Sequence, residues 1–281
     1  MRIKFWGTRG SIPVPGKDTI VYGGNTTCVE ILLDSGRKII IDAGTGIRTL
    51  GERLVAAGEE VNIHLLMTHI HWDHLIGFPF FAPINDPSTK ILVDGFHTCI
   101  KGLRAVFDNK MGDGFFPITL DDVSADIRHI DQLRHGPLEV DDVMIDPISL
   151  YHPQGGYGFR FREKGKTLVF ITDNELTNEA WEGRKIKDFV DFCMGADLLI
   201  HDAQYTPEEI KVRKGWGHSD HASALELAMK AHVRRLILFH HDPSRKDTDV
   251  VSFKMDCEYI ARDLNADIEI SMAREETELT L

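Results

Sequence analysis

The sequence predicts one α/β (α+β) domain spanning residues 1–281, with its chemistry gathered along one edge of its sheets. Short apolar runs of strand length alternate with amphipathic helical stretches from end to end. His and Asp recur immediately after those runs, where a buried strand gives way to a loop. No linker, low-complexity tract or internal repeat divides the chain, and 281 residues with 42% hydrophobic content can build a sizeable core.

In chain order, Arg2 to Trp6 reads as a strand, and Gly7 to Asn25 as a turn-rich loop carrying Pro13, Pro15, Gly16, Gly23 and Gly24. Thr27 to Leu33 and Lys38 to Asp42 flank D-S-G-R, a hairpin signal, and Ile47 to about Ala57 reads as a helix. Ile63 to Thr68 is the next strand. Lys90 to Asp94 follows as a strand and Thr98 to Phe107 as a helix, before a glycine-rich loop whose Phe115 and Phe116 either line a substrate pocket or tuck into the core. Strands near Asp126 to Ile130 and Val143 to Leu150 precede a hairpin of Tyr157 to Arg162 with Thr167 to Ile171. The last third alternates more regularly: a helix from about Asn178 to Cys193, a strand from Asp197 to Ile200, and a helix from Ser219 to Lys230 capped by Ser219 or Asp220. A strand from Arg235 to Phe239, a helix from Asp247 to Leu264 and a strand from Asp267 to Ile270 close the chain.

Composition narrows the function. With 32 Lys+Arg against 44 Asp+Glu, the formal net charge of −12 disfavours general nucleic-acid binding. Cys28, Cys99, Cys193 and Cys257 are scattered without a C-x-x-C pair, so neither a thiolate zinc site nor a disulfide framework is indicated. The N-terminus lacks a signal-peptide core and no run is long and apolar enough to span a bilayer, which predicts a cytoplasmic protein without membrane contact.

The most informative stretch is H-L-L-M-T-H-I-H-W-D-H, His64 to His74. His69, His71, Asp73 and His74 follow a strand at once. Imidazole nitrogen and carboxylate oxygen suit zinc, manganese or iron, and a loop after a strand can aim neighbouring side chains at two centres. His152, Asp173 and His240 likewise end apolar strands.

T-H-I-H-W-D-H resembles the His-x-His-x-Asp-His signature of the metallo-β-lactamase fold, a four-layer αββα sandwich with a two-metal hydrolytic site. His152 matches the isolated third histidine of that family, Asp173 in L-V-F-I-T-D the bridging aspartate, and His240 in L-I-L-F-H the final histidine. The resemblance implies that His69, His71 and His152 hold one divalent ion, that Asp73, His74 and His240 hold the other, and that Asp173 bridges both. Zn2+ is the ion it points to, with Mn2+ and Fe2+ also compatible. His241 competes with His240 for the last position. Adjacent strand residues face opposite ways, so only one should be a ligand, and the family likeness favours His240.

Two further elements resemble ribonuclease Z-type enzymes: H-D-A-Q-Y at His201 to Tyr205 and G-H-S-D at Gly217 to Asp220. They imply an Asp202–His218 pair beside the scissile phosphate. The departures are Asp at position 202 for the family's Glu and Asp at position 220 for its Thr, the latter placing a carboxylate where phosphate would approach. F-W-G-T-R-G-S-I-P and Y-G-G-N-T-T-C-V-E resemble bacterial cyclic-nucleotide-phosphodiesterase-like hydrolases. No long basic, glycine-rich arm of the ribonuclease Z kind stands out. The resemblance therefore implies a two-metal phosphodiesterase acting on a small phosphodiester such as a cyclic nucleotide, with Asp73, Asp173, Asp202 and His218 as its catalytic groups. A water activated between the ions would attack phosphorus, and His218 would protonate the leaving group. The alternatives are a ribonuclease Z-like nuclease, a lactone or thioester hydrolase on the same metals, and a non-enzymatic metal-binding module. A homodimer, as in related enzymes, is compatible with all of them.

Overall fold

The computed structural model describes residues 1–97, 119–177 and 185–281. The helix expected over Thr98 to Phe107, the Phe115–Phe116 loop and the first turns of the helix expected from Asn178 lie outside these residues. Fourteen strands are described: β1 (Arg2–Gly7), β2 (Cys28–Leu32), β3 (Lys38–Ile41), β4 (Asn62–Met67), β5 (Lys90–Gly95), β6 (Asp126–His129), β7 (Leu138–Val140), β8 (Val143–Ser149), β9 (Tyr157–Glu163), β10 (Lys166–Ile171), β11 (Leu198–Asp202), β12 (Arg235–Phe239), β13 (Glu269–Met272) and β14 (Glu278–Thr280). Among the described residues the α-helices are α1 (Gly46–Ala56), α2 (Ile186–Cys193), α3 (His221–Lys230) and α4 (Asp247–Asp263).

The strands form two mixed seven-stranded sheets, ordered β14-β1-β2-β3-β4-β5-β6 and β13-β12-β11-β10-β9-β8-β7. In each sheet one half is antiparallel and the other parallel: β3 through β6 in the first, β10 through β13 in the second. Period-two alternation decides which faces meet. Ile39 and Ile41 of β3 point between the sheets with Leu168 and Phe170 of β10, whereas Ile40 turns out towards Ile47, Leu50 and Leu54 of α1. Val169 and Ile171 turn out on the other side, against Phe189 of α2, Leu225 and Ala228 of α3, and Phe253 of α4. Three apolar interfaces separate four layers, the αββα sandwich implied by the sequence.

Small differences from the sequence reading have local causes. Asp220, not Ser219, caps α3: its Oδ1 accepts the Ala222 and Ser223 N–H groups at 3.0 and 2.9 Å. The short strands β7 and β14 lack a sequence signature and exist through their partners, β14 pairing the end of the chain with β1. Cys28, Cys193 and Cys257 are free and buried. Among the described residues no helix is long and apolar enough to cross a membrane.

Candidate metal centre

The C-terminal ends of the parallel strands from both sheets open on one place. Asp42 follows β3, His69 to His74 follow β4, Asp173 follows β10, Asp202 ends β11 and His240 follows β12. Asp42, Asp173 and His240 each take a left-handed backbone, φ 60°, 54° and 59°, and each is buried. Such a conformation is uncommon outside glycine, and Asp and His are among the residues that tolerate it. At a strand end it turns the chain sharply, so the residue leaves the pleat and points its side chain along the sheet edge.

The seven residues singled out in the sequence converge as two groups that share Asp173. In one, Asp73 Oδ2 lies 3.3 Å from His74 Nε2 and 3.2 Å from His240 Nε2, and Asp173 Oδ2 lies 3.3 Å from both imidazole nitrogens. Four donors about 2.0–2.1 Å from one tetrahedral zinc would stand roughly 3.3–3.4 Å apart. In the other, His71 Nδ1 is 3.0 Å from His152 Nε2, while His69 Nε2 and His152 Nε2 lie 3.7 and 3.8 Å from Asp173 Oδ1. The looser spacing belongs to the group with the partly exposed His71.

The outward nitrogens of these rings are all engaged, which fixes which nitrogen faces inward. His69 Nδ1 donates to Thr68 Oγ1 at 3.0 Å, and Thr68 Oγ1 donates onward to Asp42 Oδ2 at 2.8 Å. His74 Nδ1 donates to Asp42 Oδ2 at 2.7 Å, His240 Nδ1 to Gln204 Oε1 at 2.9 Å, and His152 Nδ1 to the Gly217 carbonyl at 2.9 Å. His71 Nε2 donates to Gln154 Oε1 at 3.3 Å. Such partners orient metal-binding imidazoles and raise their basicity. The inward Nε2 atoms of His69 and His74 are buried with no hydrogen-bond partner. Unpaired buried nitrogens facing two carboxylates fit a divalent cation, which would satisfy both at once.

Electrostatics point the same way. Burial and the neighbouring His74 hold His69 well below the usual imidazole range, and burial holds His152 down to about 3, so both offer lone pairs at neutral pH. For His74, burial opposes charge but is outweighed by the Asp73, Asp173 and Asp42 carboxylates, which raise it well above its ordinary value. The cluster of carboxylates demands a positive charge.

His241 stands apart: its Nε2 donates to the Ala273 carbonyl at 2.9 Å and its ring meets Tyr22 edge-on. Asp202 and His218 sit beside the cluster. His218 Nδ1 is 2.9 Å from Asp202 Oδ2 and 3.8 Å from Asp173 Oδ1, and the His218 ring stacks on His240 at 5.1 Å. Asp202 Oδ1 accepts the Ser219 N–H at 3.1 Å. Burial pushes the Asp202 carboxyl well up and the His218 imidazole down to about 4, so each favours its neutral form. Asp220, which the sequence puts near an approaching phosphate, is 2% exposed and spent on the α3 cap.

Sequence reasoning missed the supporting groups Asp42, Thr68, Gln154 and Gln204, and the main chain of Ser11, whose N–H donates to Asp73 Oδ2 at 2.7 Å. For Asp42 a signal existed, since I-I-I-D repeats the apolar-run-then-Asp pattern of V-F-I-T-D. The others contact the site through the fold alone.

A family model described as a beta-lactamase superfamily domain matches residues 37–241. Ribonuclease Z of Thermoplasma acidophilum is 24% identical over 89% of this chain and 89% of its own length. Three solved structures share the fold: the metallo-beta-lactamase fold protein YhfI from Bacillus subtilis (TM-score 0.72, 15% identity, 99% of this chain and 98% of that one), a diphosphatase from the PhnP family (0.68, 17%, 100% and 97%) and Zn(2+)-bound PqqB from Methylobacterium extorquens (0.70, 16%, 100% and 100%). With the sandwich, the signature loop and the domain match in agreement, the chain is a metal-dependent hydrolase belonging to the beta-lactamase superfamily, in its ribonuclease Z-like branch.

Proposed function

We propose that this protein hydrolyses phosphodiester bonds at a centre of two divalent ions, with an RNA phosphodiester as the first reading of its substrate. His69, His71 and His152 would hold one ion, Asp73, His74 and His240 the other, and Asp173 both. Zinc is favoured by the nitrogen-and-carboxylate donor set, the near-tetrahedral spacing of the second group and the zinc in PqqB. Bound there, the ions supply activation of a water and offset the charge on the phosphate oxygens.

The observation that carries the phosphodiester reading is the buried Asp202–His218 pair beside Asp173. The pair as a unit keeps one proton between Asp202 Oδ2 and His218 Nδ1, which leaves a second on His218 Nε2. His218 passes the Nε2 proton to the departing alkoxide, and the shared proton settles on Nδ1 as Asp202 regains its charge. Stacking on His240 and the 2.9 Å bond to Asp202 hold the ring for this transfer.

The ribonuclease Z relative favours RNA over the cyclic nucleotide suggested by the sequence. Local charge agrees: Lys211, Lys214 and Trp216, all exposed, lead directly into Gly217 and His218 on a chain otherwise dominated by acid. Cations beside an aromatic ring suit a single strand. The net charge of −12 supports a small phosphodiester as the second reading. Incubating the zinc- or manganese-loaded protein with a transfer-RNA precursor, cyclic nucleotides, bis-para-nitrophenyl phosphate, a lactone and a thioester separates them. Cleavage of the precursor at one site is the expected result. Preference for the lactone or thioester by orders of magnitude would overturn the phosphodiester reading.

A further inference from the structure

Two residues beyond Asp173 lies a carboxylate that the chemistry above does not use. Glu175 is fully buried, yet its oxygens are met by main-chain N–H groups of one loop: Gly215 N donates to Oε1 and Oε2 at 2.9 Å each, and Gly217 N donates to Oε2 at 2.9 Å. A buried carboxylate satisfied by the main chain clamps the segment that supplies those groups, because releasing them would leave the carboxylate unpaired.

The clamped segment touches both halves of the site. The Gly217 carbonyl accepts His152 Nδ1, and a β-carbon at Gly217 would come within 2.1 Å of that atom, so the loop lies directly against the imidazole. The next residue is His218. Glu175 is itself anchored, its N–H donating to the Tyr151 carbonyl at 2.9 Å. Its neighbour Asn174 receives the Tyr151 N–H at 2.9 Å through Oδ1 and the Ser219 hydroxyl at 2.6 Å through its carbonyl. One short stretch, Asp173 to Glu175, therefore fixes the shared carboxylate, the approach of His152 and the loop carrying His218.

We infer that Glu175 is a positioning residue that sets His152 as a metal ligand and His218 as a proton donor at the same time, by holding the Gly215–Gly217 main chain. The part concerning His218 rests on the phosphodiesterase reading; the part concerning His152 does not.

Two measurements on the full-length protein test it. Zinc affinity by competition with a chelator should show, for Glu175→Ala, one of two ions weakened roughly 10–100-fold and the other near wild type, the usual cost of losing a group that orients a ligand. Turnover should be compared on bis-para-nitrophenyl phosphate, whose leaving group departs without a proton, and on an alkyl phosphodiester such as a dinucleotide, whose alkoxide needs one. Glu175→Ala should lose at least about 10-fold more on the alkyl substrate, within the range of a displaced general acid. A merely structural role would depress both substrates equally. Glu175→Gln keeps the length and one acceptor oxygen and should recover part of both properties; it carries both measurements if the alanine variant does not fold. Equal losses on the two substrates together with two wild-type zinc affinities would overturn the inference. If the wild type cleaves no phosphodiester, the functional reading fails and the zinc measurement alone decides, an unchanged affinity in both variants refuting the role of Glu175.

Discussion

Replacing Gly10 by alanine adds one methyl group against the imidazole of His240, a candidate metal ligand. A β-carbon at Gly10 would lie 2.3 Å from His240 Cε1, 2.4 Å from Nδ1 and 2.9 Å from Nε2. Ordinary carbon contacts begin near ~3.5 Å, so something must shift by about 1 Å. Gly10 cannot easily retreat: its N–H donates to the His241 carbonyl at 3.0 Å, and the next N–H, of Ser11, is tied to Asp73 Oδ2 at 2.7 Å. The His240 ring must move instead, away from Gln204 Oε1 at 2.9 Å and out of its stack on His218. Ligand distances tolerate only about ±0.2 Å, so a ring displaced this far stops being a good ligand. Overpacking of this kind costs about 1–3 kcal/mol, which corresponds to roughly 5–150-fold weaker binding of one ion. Zinc titration against a chelator, with circular dichroism to check the fold, should show one weakened ion and one unchanged. Gly16→Ala, where a β-carbon meets nothing within 4 Å, is the control. Two ions at wild-type affinity in Gly10→Ala would refute the placement of His240 in the centre.

Asp173→Ala should disturb both ions, because its two oxygens serve different groups, whereas His152→Ala should weaken mainly one; elemental analysis after saturation that never exceeds one ion per wild-type chain would sink the two-metal assignment. His218→Ala should lower turnover of an unactivated phosphodiester by roughly 10²-fold or more with both ions retained, Asp202→Ala by less, and the double variant little beyond His218→Ala, since the pair acts as a unit; additive losses would separate them. Stability should fall on acidification. His201 is fully buried with its pKa pushed down to about 4, so below the unfolded value of about 6.5 the unfolded chain takes up a proton that the folded chain refuses, which costs about 2 kcal/mol at pH 5. Urea denaturation at pH 7 and pH 5 should show the loss, and His201→Gln should flatten it by about that amount; an unchanged pH dependence would contradict the burial argument.

The sequence by itself determined the sheet-and-helix order and the identity of the candidate ligands. Both are written in local pattern: short continuous apolar runs mark buried strands such as Ile39 to Ile41, and the step from an apolar run to His or Asp marks the strand end where a side chain is free to leave the pleat. Distances along the chain carry no information about which ends meet. Only the tertiary structure decided that the ends of β3, β4, β10, β11 and β12 face one another across two sheets, because that depends on how Phe170 and Phe239 pack between the sheets against Phe5 and Ile41. The same packing decided that His240 enters the centre while His241 turns to the Ala273 carbonyl, and that Asp220 is consumed by a helix cap. It also recruited Gln204 and Glu175, polar residues with no distinguishing spacing, whose importance comes from burial: once walled off from water, each must find its hydrogen-bond partners among the groups that the fold has put within reach.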